Sequence, residues 1–316
     1  MIVSASYKTD IPTFYGEWFM RRLRTGYCKV VNPYSRQVYR VALDRQAVNG
    51  FVFWTKNIAP FLKHLPEVRE RGFPFVVQYT INGYPRELET AVVDAECSVE
   101  TAWKLRELFG PHALVWRYDT IVTSSLTPLE FHVENFRRIA SRLEGATNEV
   151  VVSFAQLYKK TLRNMDAASR GAGFQWHDPS DDEKRELLRR LVRCAREHRM
   201  QLSVCSQRGL LVDGAVDAKC VDAQRLSDLA GSSIRARLQG NRKECGCFES
   251  RDIGDYDTCP HGCIYCYAVQ NRDVALARYR KHDPKSELLF DQLDSVQRQE
   301  PSTDARTART LPLFKE

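Results

Sequence analysis

The sequence lacks the long apolar segments of a membrane protein and the N-terminal features of an exported one. No apolar run reaches the roughly 18 residues that mark a helix crossing a bilayer. The N-terminus, from Met1 to Ser6, has neither the basic region nor the long apolar stretch of a signal peptide. We therefore expect a cytoplasmic protein with no membrane partner.

Several familiar catalytic and binding patterns are also missing. The chain has no Gly-x-Gly-x-x-Gly or Walker-type phosphate loop, no short-period repeat, and no supported pair of nucleophile and base. Six of the seven histidines show no metal-ligand spacing: His64, His112, His132, His177, His198 and His282. The sequence therefore gives no support to a nucleotide-binding loop or a histidine-based metal site.

The composition is that of a globular protein with a modest excess of positive charge. The 316 residues are 43% hydrophobic and 28% charged, which suffices for one large α/β domain or two smaller ones. The formal net charge of +7 suits an anionic substrate, a cofactor or nucleic acid, although an ordinary solvated surface is the commoner explanation.

Short apolar runs alternate with amphipathic segments through the first two thirds of the chain. Residues 131–143 and 187–195 have helical spacing of apolar side chains. The apolar runs suit strands buried on both faces of a parallel sheet. They lie at residues 2–5, 50–54, 75–79, 113–117, 150–154 and 202–205.

This alternation predicts an α/β fold, either a (β/α)6 partial TIM-type barrel or a doubly wound sheet, and we favour the barrel. Residues 1–205 would form the barrel core, and residues 206–290 a cysteine-rich, cluster-binding segment packed on it. The polar residues 291–316 are expected to be a flexible tail.

Cysteine is the unusual component, with ten in the chain. A reducing cytosol argues against disulfides, and five of the ten fall between Cys245 and Cys266, a density typical of metal ligands. Cys259, Cys263 and Cys266 lie within eight residues, so their thiolates can surround one corner of a 4Fe-4S cluster. A helix predicted from Tyr267 to about Arg280 would point its N-terminal amides toward that cluster.

Zinc is the alternative ligand for this motif. It would need a fourth ligand, which Cys245, Cys247 or His261 could supply. A lone group of three cysteines is less typical of zinc than of an iron–sulfur cluster.

The spacing Cys-x-x-x-Cys-x-aromatic-Cys at residues 259–266 resembles the signature of radical S-adenosylmethionine enzymes. The wider sequence is similar to an uncharacterised bacterial family with a C-terminal cysteine cluster of this kind. The similarity spans about residues 1–290 and includes residues 9–12, 53–57, 116–119, 244–247 and 252–254.

The resemblance implies a specific chemistry. Three cysteines would hold three irons and leave the fourth for S-adenosylmethionine, whose cleavage by one electron yields a 5′-deoxyadenosyl radical that abstracts hydrogen from an unknown substrate. It also implies an electron donor such as flavodoxin or ferredoxin, and it places Tyr265 beside the adenine.

The chain departs from that pattern in two ways. It contains no Gly-Gly-Glu stretch of the kind that usually binds the methionyl amine, and its cysteines follow the sixth apolar run instead of the first. Either the barrel is permuted, with strand 202–205 beside strand 2–5, or the cysteine-bearing loop crosses the mouth of an unpermuted barrel.

Four further cysteines raise the question of a second metal site. Cys205, Cys220, Cys245 and Cys247 could bind an auxiliary iron–sulfur cluster or zinc, or could be two ligands and two buried thiols.

Polar residues directly after the apolar runs are the candidates for the remaining site roles, because α/β barrels gather their chemistry at the carboxyl ends of strands. Catalytic roles are predicted for Asp10, Lys56, Arg117 and Asp119, and cofactor-binding roles for Thr9, Asn57 and Tyr265. Alternatively, Asp10 could cap a helix, and Arg117 and Asp119 could pair with each other.

The leading hypothesis is therefore a radical S-adenosylmethionine enzyme, acting on an unknown substrate that could be nucleic acid or an anionic metabolite. The alternatives are a non-catalytic iron–sulfur or zinc protein that acts as a binding module, and an electron-transfer protein.

Overall fold

The computed structural model describes residues 1–240 and 244–290. The predicted tail, residues 291–316, lies outside the described residues.

The strands are β1 (Ile2–Ala5), β2 (Tyr27–Val31), β3 (Val38–Ala42), β4 (Gly50–Thr55), β5 (Phe75–Thr80), β6 (Leu114–Ile121), β7 (Glu149–Phe154), β8 (Gln201–Val204), β9 (Val216–Asp217) and β10 (Ser250–Asp252). The α-helices are α1 (Ile11–Phe14), α2 (Gly16–Thr25), α3 (Leu65–Glu70), α4 (Ala95–Phe109), α5 (Leu129–Leu143), α6 (Lys159–Ala172), α7 (Asp181–Glu197), α8 (Ala223–Ala230) and α9 (Arg272–Arg280).

Eight of the strands form one parallel sheet in the order β10-β1-β4-β5-β6-β7-β8-β9. Each of the six apolar runs provides one of its strands, because the β-branched and aromatic side chains of these runs can be buried on both faces. The other two strands, β2 and β3, form a separate antiparallel pair.

The barrel prediction is wrong. Within residues 1–240 and 244–290, β9 and β10 are the edge strands, each is paired on one side only, and no closure between them is found. Both come from the cysteine-rich segment, and they are only two and three residues long. Their residues are largely polar, so no apolar run revealed them in the sequence.

The predicted neighbour of β1 is also corrected. In the permuted arrangement we expected strand 202–205 beside strand 2–5, but β8 lies between β7 and β9. The strand beside β1 is β10, with Ile2 opposite Ser250 and Ser4 opposite Asp252. The strand that directly precedes the cysteine motif therefore lies at the edge of the sheet, beside the first strand of the chain.

The two faces of the sheet pack against different parts of the chain. One face packs against α2, α4, α5 and α7 in the main hydrophobic core. The other face carries alternate strand residues, among them Val52, Val76 and Val115, and these pack against Val221 and Leu226 of the cysteine-rich segment. That segment therefore forms the second covering layer of the sheet.

Helix boundaries follow local capping chemistry. Ser180 and Glu183 form a capping box at the start of α7, where three acidic residues occupy the first turn. The helix predicted from Tyr267 instead begins at Arg272, because the Asn271 side chain accepts a hydrogen bond from the amide of Asp273 and caps the helix there. The expected helix terminus beside Cys266 is therefore wrong.

None of the described helices is both long enough and apolar enough to cross a membrane.

Burial of the α7 core face gives a direct test of this packing. Leu191 is fully buried, so Leu191→Ala should lower the free energy of unfolding by about 2–5 kcal/mol through lost contacts and a cavity. Leu108→Ala is the matched control: this leucine is 49% exposed, and the loss should be within about 0.5 kcal/mol. Chemical denaturation measures both, and equal losses would contradict the assigned core.

Candidate metal and cofactor site

The carboxyl ends of the parallel strands open on one cavity of about 260 Å³. Crevices at this edge of parallel sheets are where α/β proteins bind ligands. Polar and sulfur-bearing side chains from the carboxyl ends of the strands and from the loops that follow them line it, including Ser6, Lys8, Thr9, Asp10, Lys56, Arg117, Asp119, Ser153, Cys205, Cys220, Cys245, Cys247, Cys259, His261, Cys263, Tyr265 and Cys266.

The loop that carries Cys259, Cys263 and Cys266 begins shortly after β10 and is fixed by backbone contacts. The amide of Ala91 donates to the carbonyl of His261 at 2.8 Å, and the amide of Ile264 donates to that of Leu88 at 3.1 Å. Gly262 has φ +75°, and a Cβ there would lie 2.6 Å from Arg272 Cδ, so only glycine fits this turn. The loop after β5 thus holds the cysteine loop against the cavity.

The three cysteines of this motif are partly buried, and burial raises the pKa of each of these thiols. A thiolate in such surroundings needs the positive charge of a metal to become the stable form. The amide of Ala268 already donates to Cys266 Sγ at 3.3 Å, a contact that favours the thiolate. The donor set therefore fits a thiophilic metal centre.

The spacing of the three sulfurs suits a cluster better than one ion. A tetrahedral zinc ion with bonds of about 2.3 Å holds its sulfurs about 3.8 Å apart. The sulfurs of Cys259, Cys263 and Cys266, all of them in the described part of the chain, do not all lie within 4.8 Å of one another. His261 is directed to a carboxylate, since its Nε2 lies 2.7 Å from Asp10 Oδ2.

Asp10 connects the cysteine loop to two strand ends. Its Oδ1 accepts from the amide of Thr13 at 2.9 Å and caps α1, as the alternative interpretation of the sequence had it. Its Oδ2 accepts from the amide of Lys56 at 2.7 Å and contacts His261. Asp10 lines the cavity, yet both of its oxygens have partners within the protein.

Lys56 and Tyr265 meet at a buried carboxylate, Glu89. Lys56 Nζ lies 2.7 Å from Glu89 Oε1 and 3.1 Å from the Tyr265 hydroxyl, which itself donates to Glu89. Burial opposes the charge of Lys56, but the combined effect of Glu89 and the other acidic groups near it outweighs burial, so the pKa of Lys56 is raised. The pair holds Tyr265 on the cavity wall beside Cys263.

Arg117 and Asp119 pair with each other, which the sequence analysis gave as the alternative to catalytic roles. Arg117 Nη2 lies 2.5 Å from Asp119 Oδ2. Arg117 also donates to Gln78 Oε1 at 3.2 Å and to Cys220 Sγ at 3.0 Å. Its guanidinium carbon lies 5.1 Å from the centre of the Trp54 ring. This buried cation is therefore already surrounded by partners, one of which is a thiol.

The two predicted cofactor-binding residues on the loops after β1 and β4 have different surroundings. Thr9 lines the cavity, and its buried hydroxyl oxygen has no hydrogen-bond partner within the described chain. Asn57 does not line the cavity, and its Oδ1 accepts from the amide of Ala59 at 3.1 Å in a local turn. Of the two, only Thr9 presents an unused polar group to a ligand.

The structure brings the other four cysteines together as a second group. Cys205 follows β8, Cys220 follows β9, and their sulfurs are 3.5 Å apart. The Cys247 thiol interacts with both Cys220 and Cys245, and its sulfur accepts from the amide of Val221 at 3.4 Å. None of the ten cysteines forms a disulfide.

Sequence reasoning missed Asp252 and Ser6. Ser4 Oγ and Ser6 Oγ both donate to the buried carboxylate of Asp252, at 3.0 Å and 2.7 Å, and Lys8 Nζ lies 3.5 Å from it. This network joins the ends of β1 and β10. No local pattern predicted it, because its members are about 245 residues apart; only the pairing of β1 with β10 brings them together.

A third potential metal-binding group lies outside the cavity. Cys194, Glu197 and His198 at the end of α7 have ligand atoms within 4.8 Å of one another. His198 Nδ1 is 3.1 Å from Glu144 Oε2, and Glu144 also contacts Arg199. A histidine paired with a carboxylate in basic surroundings explains this arrangement without a metal.

Comparison with known proteins places the chain in a family. No curated protein and no solved structure matches it. A family model described as Domain of unknown function (DUF1848) matches residues 2–268, which include both cysteine groups and the cavity wall. This match carries no link to radical S-adenosylmethionine enzymes. The chain therefore belongs to the DUF1848 family, and the predicted membership of an uncharacterised family is confirmed.

Proposed function

We propose that the protein is a radical S-adenosylmethionine-type enzyme whose 4Fe-4S cluster is held by Cys259, Cys263 and Cys266. One observation carries the proposal: these three partly buried cysteines line a single cavity at the carboxyl ends of the parallel strands. Their spacing, wider than a single tetrahedral ion requires, adds support.

The position of the motif in the sheet is further support. The enzymes that the motif resembles carry their cysteines after the first strand of the fold. Here the motif follows β10, which within residues 1–240 and 244–290 is an edge strand paired with β1 alone. In this chain, β10 comes late in the sequence but lies beside β1 at the edge of the sheet, where a first strand could also lie. This placement accounts for cysteines that come late in the sequence instead of after the first strand.

When bound, the cluster and S-adenosylmethionine would supply a 5′-deoxyadenosyl radical that abstracts hydrogen from a substrate. The protein would bind the cluster, position the cofactor and exclude water. The cysteines would hold three irons, and the Lys56–Glu89 pair would fix the Tyr265 ring on the wall beside them. Burial of the whole group would keep water away from the reacting atoms.

Thr9 is the residue best suited to contact the methionyl end of the cofactor. It lies on the loop after β1, the strand beside β10, and its buried hydroxyl oxygen has no partner within the described residues. An unpartnered buried polar atom costs free energy, which a hydrogen bond to a ligand would recover.

Replacing one motif cysteine tests the cluster assignment. Cys263→Ala should remove about four irons per chain and abolish 5′-deoxyadenosine formation, because a cubane held by two thiolates is not retained. The measurement is iron and sulfide analysis of anaerobically purified protein, followed by product analysis after reduction with S-adenosylmethionine present.

Cys97→Ala is the matched control, since Cys97 is exposed on α4 and outside the cavity. It should keep the iron content and the product. A colourless unmodified protein that holds zinc at the motif would contradict the proposal, as would full iron content in Cys263→Ala.

A threonine pair tests cofactor binding separately from cluster binding. Thr9→Val should weaken S-adenosylmethionine binding about tenfold, equivalent to about 1.4 kcal/mol, and leave the iron content unchanged. Thr123→Val is the control, because Thr123 is also buried with an unpartnered hydroxyl but does not line the cavity. Isothermal titration of the reconstituted proteins measures both; equal affinities would remove Thr9 from the cofactor site.

A further inference from the structure

Four cysteines from three separate stretches of chain converge on the cavity from the edge opposite β10. Cys205 and Cys220 follow neighbouring strands, and Cys245 and Cys247 reach them from the segment that covers the sheet. All four line the cavity that the motif cysteines line. Cys220 and Cys247 belong to the core on this face of the sheet, whereas Cys205 and Cys245 are only partly buried.

Two hydrogen-bond donors of the protein are directed at the sulfurs of this group. The Arg117 guanidinium donates to Cys220 Sγ at 3.0 Å, and the amide of Val221 donates to Cys247 Sγ at 3.4 Å. Both donors would stabilise the negative charge that thiolate ligands carry when a metal binds.

We propose that Cys205, Cys220, Cys245 and Cys247 bind a second iron–sulfur cluster, of the 2Fe-2S type. The spacing of the sulfurs decides between the thiophilic centres. Cys205 and Cys220 are 3.5 Å apart, the separation expected of two thiolates on one tetrahedral metal. A cubane attaches each thiolate to a different iron and would separate them further.

A single zinc ion fits less well. It would bring all four sulfurs to about 3.8 Å from one another. No three of these four sulfurs, all of which the structure describes, lie within 4.8 Å of one another. The thiol contacts form a chain, Cys205 with Cys220, Cys220 with Cys247 and Cys247 with Cys245. The two outer pairs of this chain match a two-iron cluster in which each iron takes two thiolates.

The test removes the first cluster to isolate the second, and so does not depend on the proposed function. The full chain with Cys259→Ala, Cys263→Ala and Cys266→Ala is purified anaerobically. It should hold about two irons and two sulfides, and should show the electron paramagnetic resonance signal of a reduced 2Fe-2S cluster. Adding Cys220→Ser should remove this iron, whereas adding Cys97→Ser should leave it.

Four outcomes would overturn the proposal: zinc bound in place of iron, no metal, four irons in the triple variant, or iron that survives Cys220→Ser. Circular dichroism and thermal unfolding check that each variant is folded. If the triple variant does not fold, Mössbauer spectroscopy of the unmodified chain decides. A two-iron component there supports the assignment, and its absence overturns it.

Discussion

The candidate site depends on thiols gathered around one cavity at the carboxyl edge of a parallel sheet. Seven cysteines line this cavity, and burial makes the pKa of Cys259, Cys263 and Cys266 higher than that of a thiol in water. Thiols of raised pKa are poor nucleophiles, but they become a strong ligand set once a metal replaces the protons. The protein surrounds these sulfurs with donors, among them Arg117 and the backbone amides of Val221 and Ala268.

Because of the sheet topology, cysteines line the cavity at two opposite ends. Parallel strands present their carboxyl ends at one edge, and the short strands β9 and β10 extend the sheet in opposite directions. The motif after β10 and the cysteines near β9 therefore reach the same cavity from opposite sides. Between them, the Arg117–Asp119 and Lys56–Glu89 ion pairs fix polar side chains that would otherwise be free to move.

The sequence predicted the inner strands of the sheet, but it did not predict the two edge strands, β9 and β10. Apolar runs such as Phe75–Thr80 are visible because their side chains are buried on both faces. The residues of β10, Ser250, Arg251 and Asp252, carry no such signal, and their pairing with β1 is set by a contact across about 250 residues. Without that contact the open sheet could not be told from a barrel, and the network of Ser6 with Asp252 could not be foreseen. The cysteine motif was visible in the sequence because its three cysteines lie within eight residues of one another. The approach of Cys205 to Cys220 was not, because it depends on the pairing of β8 with β9.

The proposed function requires that three motif thiolates hold a cluster with one iron left for S-adenosylmethionine. Electron paramagnetic resonance of the reduced protein, recorded with and without S-adenosylmethionine, is the decisive experiment. We expect a 4Fe-4S signal whose g values shift when S-adenosylmethionine binds the free iron. A signal that does not change at saturating S-adenosylmethionine, or the absence of any 4Fe-4S signal from reconstituted protein, would contradict it.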